Sequence, residues 1–367
     1  MVTNRGALPS SLIAYLCGIS EVNPLPAHYR CPSCHHIEIA PKGKKYRVCG
    51  SDLIERVCPK CGSKMIADGF DILPEVCMGL YFELEPDFIM NFAPSQQKDV
   101  LEFIRQRVKD EQFIRAGVKA ELEDGTVRRG VHPGGIYIIP KNADISDLTT
   151  LREPDRDDEL QLNITEEDYH KLDYKLKKMD FLPHQQLGLL HDLEAKSGFD
   201  HHNIRLDDVE VLRVFLDVEN SFMQQFSDLY RSIIQKAKPM CFSDLARVDG
   251  LAHGAGTWTE NGSELMGNGK TVRDIISCRD DIMQYLMSAG VSKETSYKAM
   301  KKVKSGHTLT AHRVEEMRSA GVPDWFLDSC NKIQYAYPWA QCVEYTLVNW
   351  KLAYYWLHYP DVYKEFC

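Results

Sequence analysis

The spacing of apolar residues divides the chain into two halves. In the first half, short runs alternate apolar and polar positions, as in residues 82–87 and 171–182, and this period of two predicts strands. From residue 185 onward the apolar positions recur every three or four residues, which predicts helices over 185–197, 208–216, 219–237, 271–289, 293–304, 311–320, 323–333 and 339–358. The pattern predicts an α+β protein whose helical second half is interrupted by a loop at 249–258.

Other segments of the first half are less regular. The apolar residues 12–19 predict a buried helix capped by Ser10 or Ser11, because a serine hydroxyl can accept a hydrogen bond from a free N–H of the first turn. Residues 96–125 predict a further helix, with Val100, Phe103, Ile104 and Val108 on one face.

The glycine-rich stretch 125–135 predicts a loop that leads into a buried strand at 136–140. Residues 141–170 are acidic and irregular, which is typical of an excursion over the surface.

Composition adds bounds to this division. The chain has 367 residues, 44% of them hydrophobic and 26% charged, as in an ordinary soluble protein of two or three packed units. A formal net charge of −9 gives no overall electrostatic footprint for nucleic acid, so such binding would need a local basic face such as 293–304.

The N-terminal residues do not form a convincing signal peptide. Arg5 and the apolar run 12–19 lead into Glu21 and the segment 23–26, Asn-Pro-Leu-Pro, without a small-residue cleavage site. The longest apolar runs are shorter than the ~18–20 residues that a membrane span needs. We therefore expect a cytoplasmic protein.

The strongest local motif is a pair of Cys-Pro-x-Cys sequences. Cys31 and Cys34 form the first, and Cys58 and Cys61 form the second, after an interval of 23 residues. Each pair can form a turn that directs two thiolates at one ion, so the four cysteines predict a structural Zn²⁺ site. His35, His36 and Cys49 lie between the pairs and could replace one of the four ligands. The alternative to a metal site is four buried thiols without an ion.

Two segments could meet a phosphate. The first contains Arg5, Gly6, Ser10 and Ser11, where a Gly/Ser loop enters a helix N-terminus; the alternative is a simple capped helix. The second is a set of basic and glycine residues that could equally form an ordinary turn with solvated arginines: Arg128, Arg129, His132, Gly134 and Gly135.

Several motifs together resemble one family, the replicative bacterial DNA polymerase III α subunit of the PolC type. They occur in the family's order and extend through most of the chain: residues 19–34 (Ile-Ser-Glu-Val-Asn-Pro-Leu-Pro-Ala-His-Tyr-Arg-Cys-Pro-Ser-Cys), 132–136 (His-Pro-Gly-Gly-Ile), 242–245 (Phe-Ser-Asp-Leu), 250–254 (Gly-Leu-Ala-His-Gly), 278–283 (Cys-Arg-Asp-Asp-Ile-Met) and 322–325 (Val-Pro-Asp-Trp).

The resemblance implies a domain organisation. Residues 1–22 and 73–184 would form a palm of the polymerase-β-like nucleotidyltransferase fold, and residues 23–72 a zinc-binding insert. Residues 185–367 would form the helical fingers. The exonuclease, OB, PHP, duplex-binding and clamp-binding regions of such a polymerase have no counterpart here, which suggests a free-standing palm and fingers, natural or excised.

The resemblance also locates a damaged catalytic site. Two-metal nucleotidyl transfer needs carboxylates that converge from one face of a sheet, and the family's Pro-Asp-x-Asp strand supplies two of them. Asp87 matches the first carboxylate, Ile89 stands in place of the second, and Asp180 matches the third, contributed by a neighbouring strand. Glu85 is four residues from position 89, about 13 Å along a strand, and cannot substitute. Binding of Mg²⁺ is therefore weakened at best.

Other departures from the family pattern lie at the triphosphate and fingers sites. The triphosphate loop contains Ala7 where the family has a serine, and Pro9 lacks a backbone N–H. The fingers motif Phe-Pro-Lys-Ala-His has Trp339 in place of its lysine and Gln341 in place of its histidine. The segment between 117 and 132 is also shorter than in the family.

Three functions remain open. A catalytically inactive polymerase-like protein that binds replication proteins or primer–template DNA accounts for a kept scaffold with a lost metal ligand. A weakly active polymerase or nucleotidyltransferase would need Asp87 and Asp180 to hold a metal. A zinc-stabilised nucleic-acid-binding module would show salt-dependent affinity for DNA.

Overall fold

The structure, a computed structural model, describes residues 2–41, 48–84, 88–108, 113–121, 127–139, 151–152, 161–162 and 177–367. It separates into two compact units, each of which is described by itself. The first contains Met1–Arg5 and Asp87–His191, and the second contains Gly6–Pro86 and Asp192–Cys367. Segments 6–22 and 73–86 thus belong to the unit that holds the helical half, while the predicted domain borders stay a prediction.

The strands in chain order are β1 (Val2–Arg5), β2 (His28–Arg30), β3 (Ile37–Ile39), β4 (Ile66–Asp68), β5 (Phe88–Phe92), β6 (Phe113–Glu121), β7 (Val127–Ile138), β8 (Leu151–Arg152), β9 (Gln161–Leu162) and β10 (Lys177–Pro183).

The helices in chain order are α1 (Leu12–Leu16), α2 (Glu75–Met78), α3 (Pro94–Arg107), α4 (Gln185–Ser197), α5 (Val209–Leu216), α6 (Asp228–Ala237), α7 (Phe242–His253), α8 (Ser263–Gly267), α9 (Arg279–Ser288), α10 (Lys293–Val303), α11 (Ala311–Ser319), α12 (Asp324–Lys332), α13 (Trp339–His358) and α14 (Pro360–Lys364). Short 3₁₀ turns occur at Leu8–Ser10, Gly50–Asp52, His201–Asn203 and Met223–Gln225, and a kinked turn at Trp258–Gly262.

A seven-stranded sheet forms the first unit. Its strand order is β1-β5-β10-β7-β6-β9-β8, and β10 runs parallel to β5 and antiparallel to β7. The first turns of α4 bury Leu187 and Leu190, and Phe92 and Phe181 contact each other with ring centroids 6.0 Å apart. β10 is an interior strand of this sheet, with β5 on one side and β7 on the other.

A small sheet and the remaining helices form the second unit. The small sheet has the order β3-β2-β4 and carries the two cysteine motifs at its ends. Helices α9 to α12 surround an apolar cluster that includes Ile282, Leu286 and Phe326, and most residues of α13 are buried. None of the helices that the structure describes is long and apolar enough to cross a membrane.

The predicted helix over 96–125 is wrong in its second part. α3 ends at Arg107, and β6 occupies 113–121. β6 pairs with β7 along nearly its whole length, and these inter-strand hydrogen bonds, which sequence periodicity does not contain, decide the conformation.

The predicted loop at 125–135 is a strand from Val127 onward. The β6–β7 register shifts between Arg115 and Gly117, which leaves the His-Pro-Gly-Gly segment in an irregular stretch of β7. Pro133 cannot donate to a ladder, so a bulged strand accommodates it where a regular strand could not.

Other elements begin or end elsewhere than predicted. Residues 82–84 form a turn in which Phe82 has a φ of 59°, and the strand begins at Phe88; residues 85–87 lie outside the described residues. The 249–258 loop is helical up to His253, and the helices predicted from 219 and 271 begin at Asp228 and Arg279.

Strand β10 covers the second part of the strand predicted over 171–182. Helix α1 is not buried as predicted: Ile13 and Leu16 are each 72% exposed, because a five-residue helix presents only Ala14 to the core.

Candidate functional site

The four cysteines of the Cys-Pro-x-Cys motifs converge. The Sγ atoms of Cys31 and Cys61 are 3.4 Å apart, and those of Cys34 and Cys58 are 3.6 Å apart. All four sulfur atoms lie within 4.8 Å of one another. A zinc ion with four Zn–S bonds of ~2.3 Å places its sulfurs ~3.8 Å apart, so the thiols fit the ion.

Two turns of the same construction direct these thiols. The amide of Cys31 donates to His36 O at 2.8 Å, and the amide of Cys58 donates to Ser63 O at 2.8 Å. The residue after each second cysteine has a positive φ, 59° at His35 and 76° at Gly62. This left-handed residue closes each turn, so the site is a local consequence of two five-residue motifs.

Hydrogen bonds with Ser63 lower the pKa of Cys61 to about 6, its side-chain hydroxyl having the largest effect. The backbone hydrogen bond with His36 lowers the pKa of Cys34, but desolvation and the neighbouring cysteines outweigh it and raise this pKa. Of these two cysteines it is therefore Cys61 whose thiolate, the form that binds a metal, is favoured. Of the other candidate ligands, His36 pairs with Glu38 at 3.0 Å and Cys49 contacts Phe70 O at 3.8 Å. The geometry therefore favours the four cysteines as the ligand set, with no open position for catalysis.

The apolar core around these cysteines is small. Its buried members are Tyr29, Cys31, Cys58 and Met65. Such a core is too small to hold three short strands by itself, and a metal that crosslinks its two ends would supply the missing stability. The hydroxyl of Ser243 on α7 also donates to Asp52 at 2.7 Å, which attaches the module to the helices of its unit.

The remnant catalytic row lies in the centre of the first unit. Ile89 is the register partner of Arg5 on one side and of Asp180 on the other, and Asp180 is also the partner of Gly135. Partners in adjacent strands point to the same face of a sheet. The apolar side chain at position 89 thus lies beside the Asp180 carboxylate, where a second carboxylate would be needed.

The surroundings of Asp180 contain a cation from the protein itself. Asp180 is buried, and its Oδ2 lies 3.2 Å from the Nζ of Lys178, two residues earlier on the same face of β10. Among the described residues of this row, the donor set of one carboxylate beside Ile89 and an ammonium group does not fit a two-metal centre. Asp87, the other predicted ligand, lies outside the described residues.

One of the predicted phosphate residues of β7, Gly134, has a structural role that the sequence did not reveal. A Cβ on Gly134 would overlap the carbonyl oxygen of Phe181 on β10. Gln97 of α3 donates to the same oxygen at 2.6 Å. Gly134 is therefore required for the close approach of β7 to β10; Arg128, Arg129 and His132 lie in β7, and their phosphate contacts stay a prediction.

The predicted phosphate loop at Gly6 is closed on itself. The amides of Ser10 and Ser11 donate to Ala7 O and Leu8 O at 2.9 and 3.0 Å, and Ser11 caps α1 by accepting from Ala14 N at 3.3 Å. The amide of Gly6 donates to Gln341 Oε1 at 3.1 Å. These N–H groups already have protein acceptors, which leaves them less suited to a phosphate.

The two altered positions of the fingers motif are part of the core. Trp339 is 1% exposed, and its indole N–H donates to Phe70 O at 2.9 Å, while its backbone N–H donates to Asp280 at 2.8 Å. Gln341 is buried and holds Gly6. Sequence reasoning noted that both residues differ from the family, but only the structure provides their contacts.

Sequence reasoning missed two residues of the remnant site, Lys178 and Gln97. Lys178 has a local signal, since it precedes Asp180 by two positions on a predicted strand and must share its face. Gln97 has none, because it reaches β10 from α3 across 84 residues.

Comparison with known proteins relates this arrangement to replicative polymerases. Residues 186–322 match the family described as bacterial DNA polymerase III alpha subunit finger domain. The chain is 34% identical to the DNA polymerase III PolC-type of Caldanaerobacter subterraneus subsp. tengcongensis, over 99% of this chain and 29% of that protein.

Proteins of the same description from Halalkalibacterium halodurans and Staphylococcus aureus are each 32% identical, over 99% of this chain and 28% of their own length. The chain thus covers 28–29% of the length of these curated relatives, which is less than a third. The alignments cover 410 to 411 positions, more than the 367 residues of this chain, so the relatives contain segments that it lacks.

Proposed function

Since the chain is a PolC-type DNA polymerase III α-like protein, we propose that it is a palm and fingers unit that has lost nucleotidyl transfer. It acts in DNA replication by binding replication proteins or primer–template DNA. The palm comprises residues 1–22 and 73–184, the zinc insert 23–72, and the fingers 185–367. We propose that the protein acts in the cytoplasm.

One observation carries the proposal: two positions that depart from the polymerase pattern, Trp339 and Gln341, are buried and hydrogen-bonded within the protein. Trp339 and Gln341 bond to Phe70 and Gly6, and neither is left to contact a nucleotide. Ile89 lies between Arg5 and Asp180 in the sheet. Trp339 and Gln341 are thus engaged in contacts within the core, which supports a scaffold kept for a purpose other than nucleotide binding.

The charge around Asp180 supports the same conclusion. In a working palm the carboxylates are neutralised by metal ions that also bind the triphosphate. Here the ammonium group of Lys178 lies 3.2 Å from Asp180 and can balance its charge. An ion pair of this kind supports a site that no longer depends on metal ions for charge balance.

A primer-extension assay tests the loss of catalysis. The full chain is incubated with primed DNA, all four deoxynucleotides and Mg²⁺ or Mn²⁺; we expect no template-dependent incorporation above that of a heat-denatured control. Incorporation abolished by Asp180→Asn would overturn the proposal and support the weakly active polymerase, to which the retained, buried Asp180 would then belong.

Binding is tested in a separate arm. Fluorescence anisotropy with primed duplex at low and high salt measures DNA affinity, and the slope of log K against log salt counts the phosphate contacts. DNA binding in this arm would assign primer–template as the ligand. Its absence at low salt would leave a replication protein as the partner and would remove the zinc-stabilised nucleic-acid-binding alternative.

A further inference from the structure

A second group of metal-ligating side chains occurs in the second unit, distinct from the four cysteines. Glu194 lies in the last turn of α4, and Asp200, His201 and His202 follow in the 3₁₀ turn at its end. One ligand atom from each of the four lies within 4.8 Å of the other three. Polymerase chemistry does not use this group.

The central member is buried between two carboxylates. His201 is 3% exposed, with Glu194 Oε2 3.1 Å from its Nδ1 and Glu21 Oε1 3.6 Å from its Nε2. Within the described residues, neither ring nitrogen makes a well-formed hydrogen bond. A neutral imidazole has one N–H and one lone pair, so with an oxygen on each side the lone pair must face a negative charge.

The neighbouring histidine, His202, is exposed and pairs with one carboxylate. Nδ1 of His202 lies 2.7 Å from Asp200 Oδ1, and the two imidazole rings have centroids 3.9 Å apart. One divalent ion between the rings would neutralise two carboxylates while both imidazoles stay neutral.

We propose that Glu194, Asp200, His201 and His202 bind a zinc ion. Two imidazole nitrogens and two carboxylate oxygens are ligands that zinc accepts in tetrahedral geometry, with metal–ligand distances of ~2.0–2.2 Å. Such a tetrahedron has edges of ~3.3 Å, and the N–O separations of 2.7 and 3.1 Å are near that value.

Glu21 lies on the side of the His201 ring opposite the proposed ion. Its Oε1 faces the Nε2 of His201, and its Oε2 pairs with the buried Lys351 of α13. A carboxylate that receives the second N–H of a metal-binding histidine fixes the tautomer and directs the other nitrogen at the metal. The ion would join the end of α4 to the following turn, and through Glu21 to α13.

Metal content of the full chain, prepared without an affinity tag, tests the proposal. The chain is stripped with EDTA, reloaded with Zn²⁺, passed through gel filtration and measured for zinc per chain. We expect His202→Ala to hold one equivalent less than wild type, and His312→Ala, an exposed histidine outside the group, to hold the same amount. Cys34→Ser should lose an equivalent independently.

Cobalt substitution separates the two sites by spectrum, since thiolate ligands give intense charge-transfer bands and nitrogen and oxygen ligands do not. We expect His202→Ala to keep the charge-transfer bands and Cys34→Ser to lose them. Asp200→Asn serves as a second variant, because the side chain is exposed and an asparagine can still accept the capping hydrogen bond from His202 N. Equal zinc content in wild type, His202→Ala and Asp200→Asn would overturn the proposal and leave a cluster of ion pairs.

Discussion

The cysteine module and the row of Ile89 and Asp180 in the sheet, the two places where the sequence resemblance predicts metal sites, bring together different sets of side chains. All four cysteines are present and converge to within 4.8 Å. In the row, Ile89 lies beside Asp180, whose charge is balanced by Lys178. The core around the cysteines is small, so we expect a bound metal to matter for folding there, whereas the sheet that holds Ile89 and Asp180 is paired on both sides by neighbouring strands.

The largest effect should follow from breaking the cysteine module. Cys58→Ser removes a buried ligand, and because structural zinc contributes about 10–16 kcal/mol of binding free energy, the small core of Tyr29 and Met65 should no longer hold. We expect loss of one zinc equivalent and loss of hydrogen-exchange protection in β2 and β4. The control is Cys17→Ser, an exposed cysteine outside the cluster. Unchanged protection in Cys58→Ser would mean that the module folds without metal.

Substitutions at Trp339 should show how much this buried side chain contributes to the free energy of unfolding. Trp339→Lys replaces a 1% exposed indole by a cation and should lower the free energy of unfolding by about 3–5 kcal/mol. Trp339→Phe keeps most of the apolar volume and loses only the bond to Phe70 O, so about 1–2 kcal/mol is expected. Urea unfolding measures both; equal stability of wild type and Trp339→Lys would contradict the packing described here.

Two glycines of the first unit, Gly134 and Gly188, should respond to alanine substitution with opposite changes in the free energy of unfolding. Gly134→Ala would push a Cβ into Phe181 O, and should lower the free energy of unfolding by about 1–3 kcal/mol. Gly188→Ala lies inside α4, where the nearest atoms are 3.7 and 3.8 Å away, and should raise it by up to about 1 kcal/mol. Chemical denaturation of the two variants under one set of conditions is the measurement, and a stable Gly134→Ala would show that β7 and β10 approach less closely.

The smallest effect concerns the row itself. Ile89→Asp places a second carboxylate beside Asp180 and should cost about 1–2 kcal/mol through like-charge repulsion in a partly buried site. Added Mn²⁺ should recover part of this loss, read as a shift in melting temperature. The double variant Ile89→Asp with Asp180→Asn should show no Mn²⁺ response. A response of wild type as large as that of Ile89→Asp would mean that the row already binds metal.

The sequence by itself determined the features that depend on short-range spacing. The Cys-Pro-x-Cys turns follow from a five-residue conformation, and helix α4 has the bounds that periodicity predicts, 185–197. The isoleucine at position 89, where the family motif has a second carboxylate, is likewise evident from the sequence, while the loss of metal binding there stays a prediction. Ser11 as the cap of α1 belongs to the same group.

Tertiary structure decided what depends on partners far along the chain. Residues 113–121 and 127–138 became strands because each supplied the other's hydrogen bonds. Trp339 found Phe70 across 269 residues, and His201 came to lie between Glu21 and Glu194. Local propensities are worth at most about 1 kcal/mol per residue, so pairing and burial between distant segments override them. The four ligands of the proposed second zinc site lie within nine residues of one another, so the part that only the fold supplied is Glu21, which faces His201 from a distant segment.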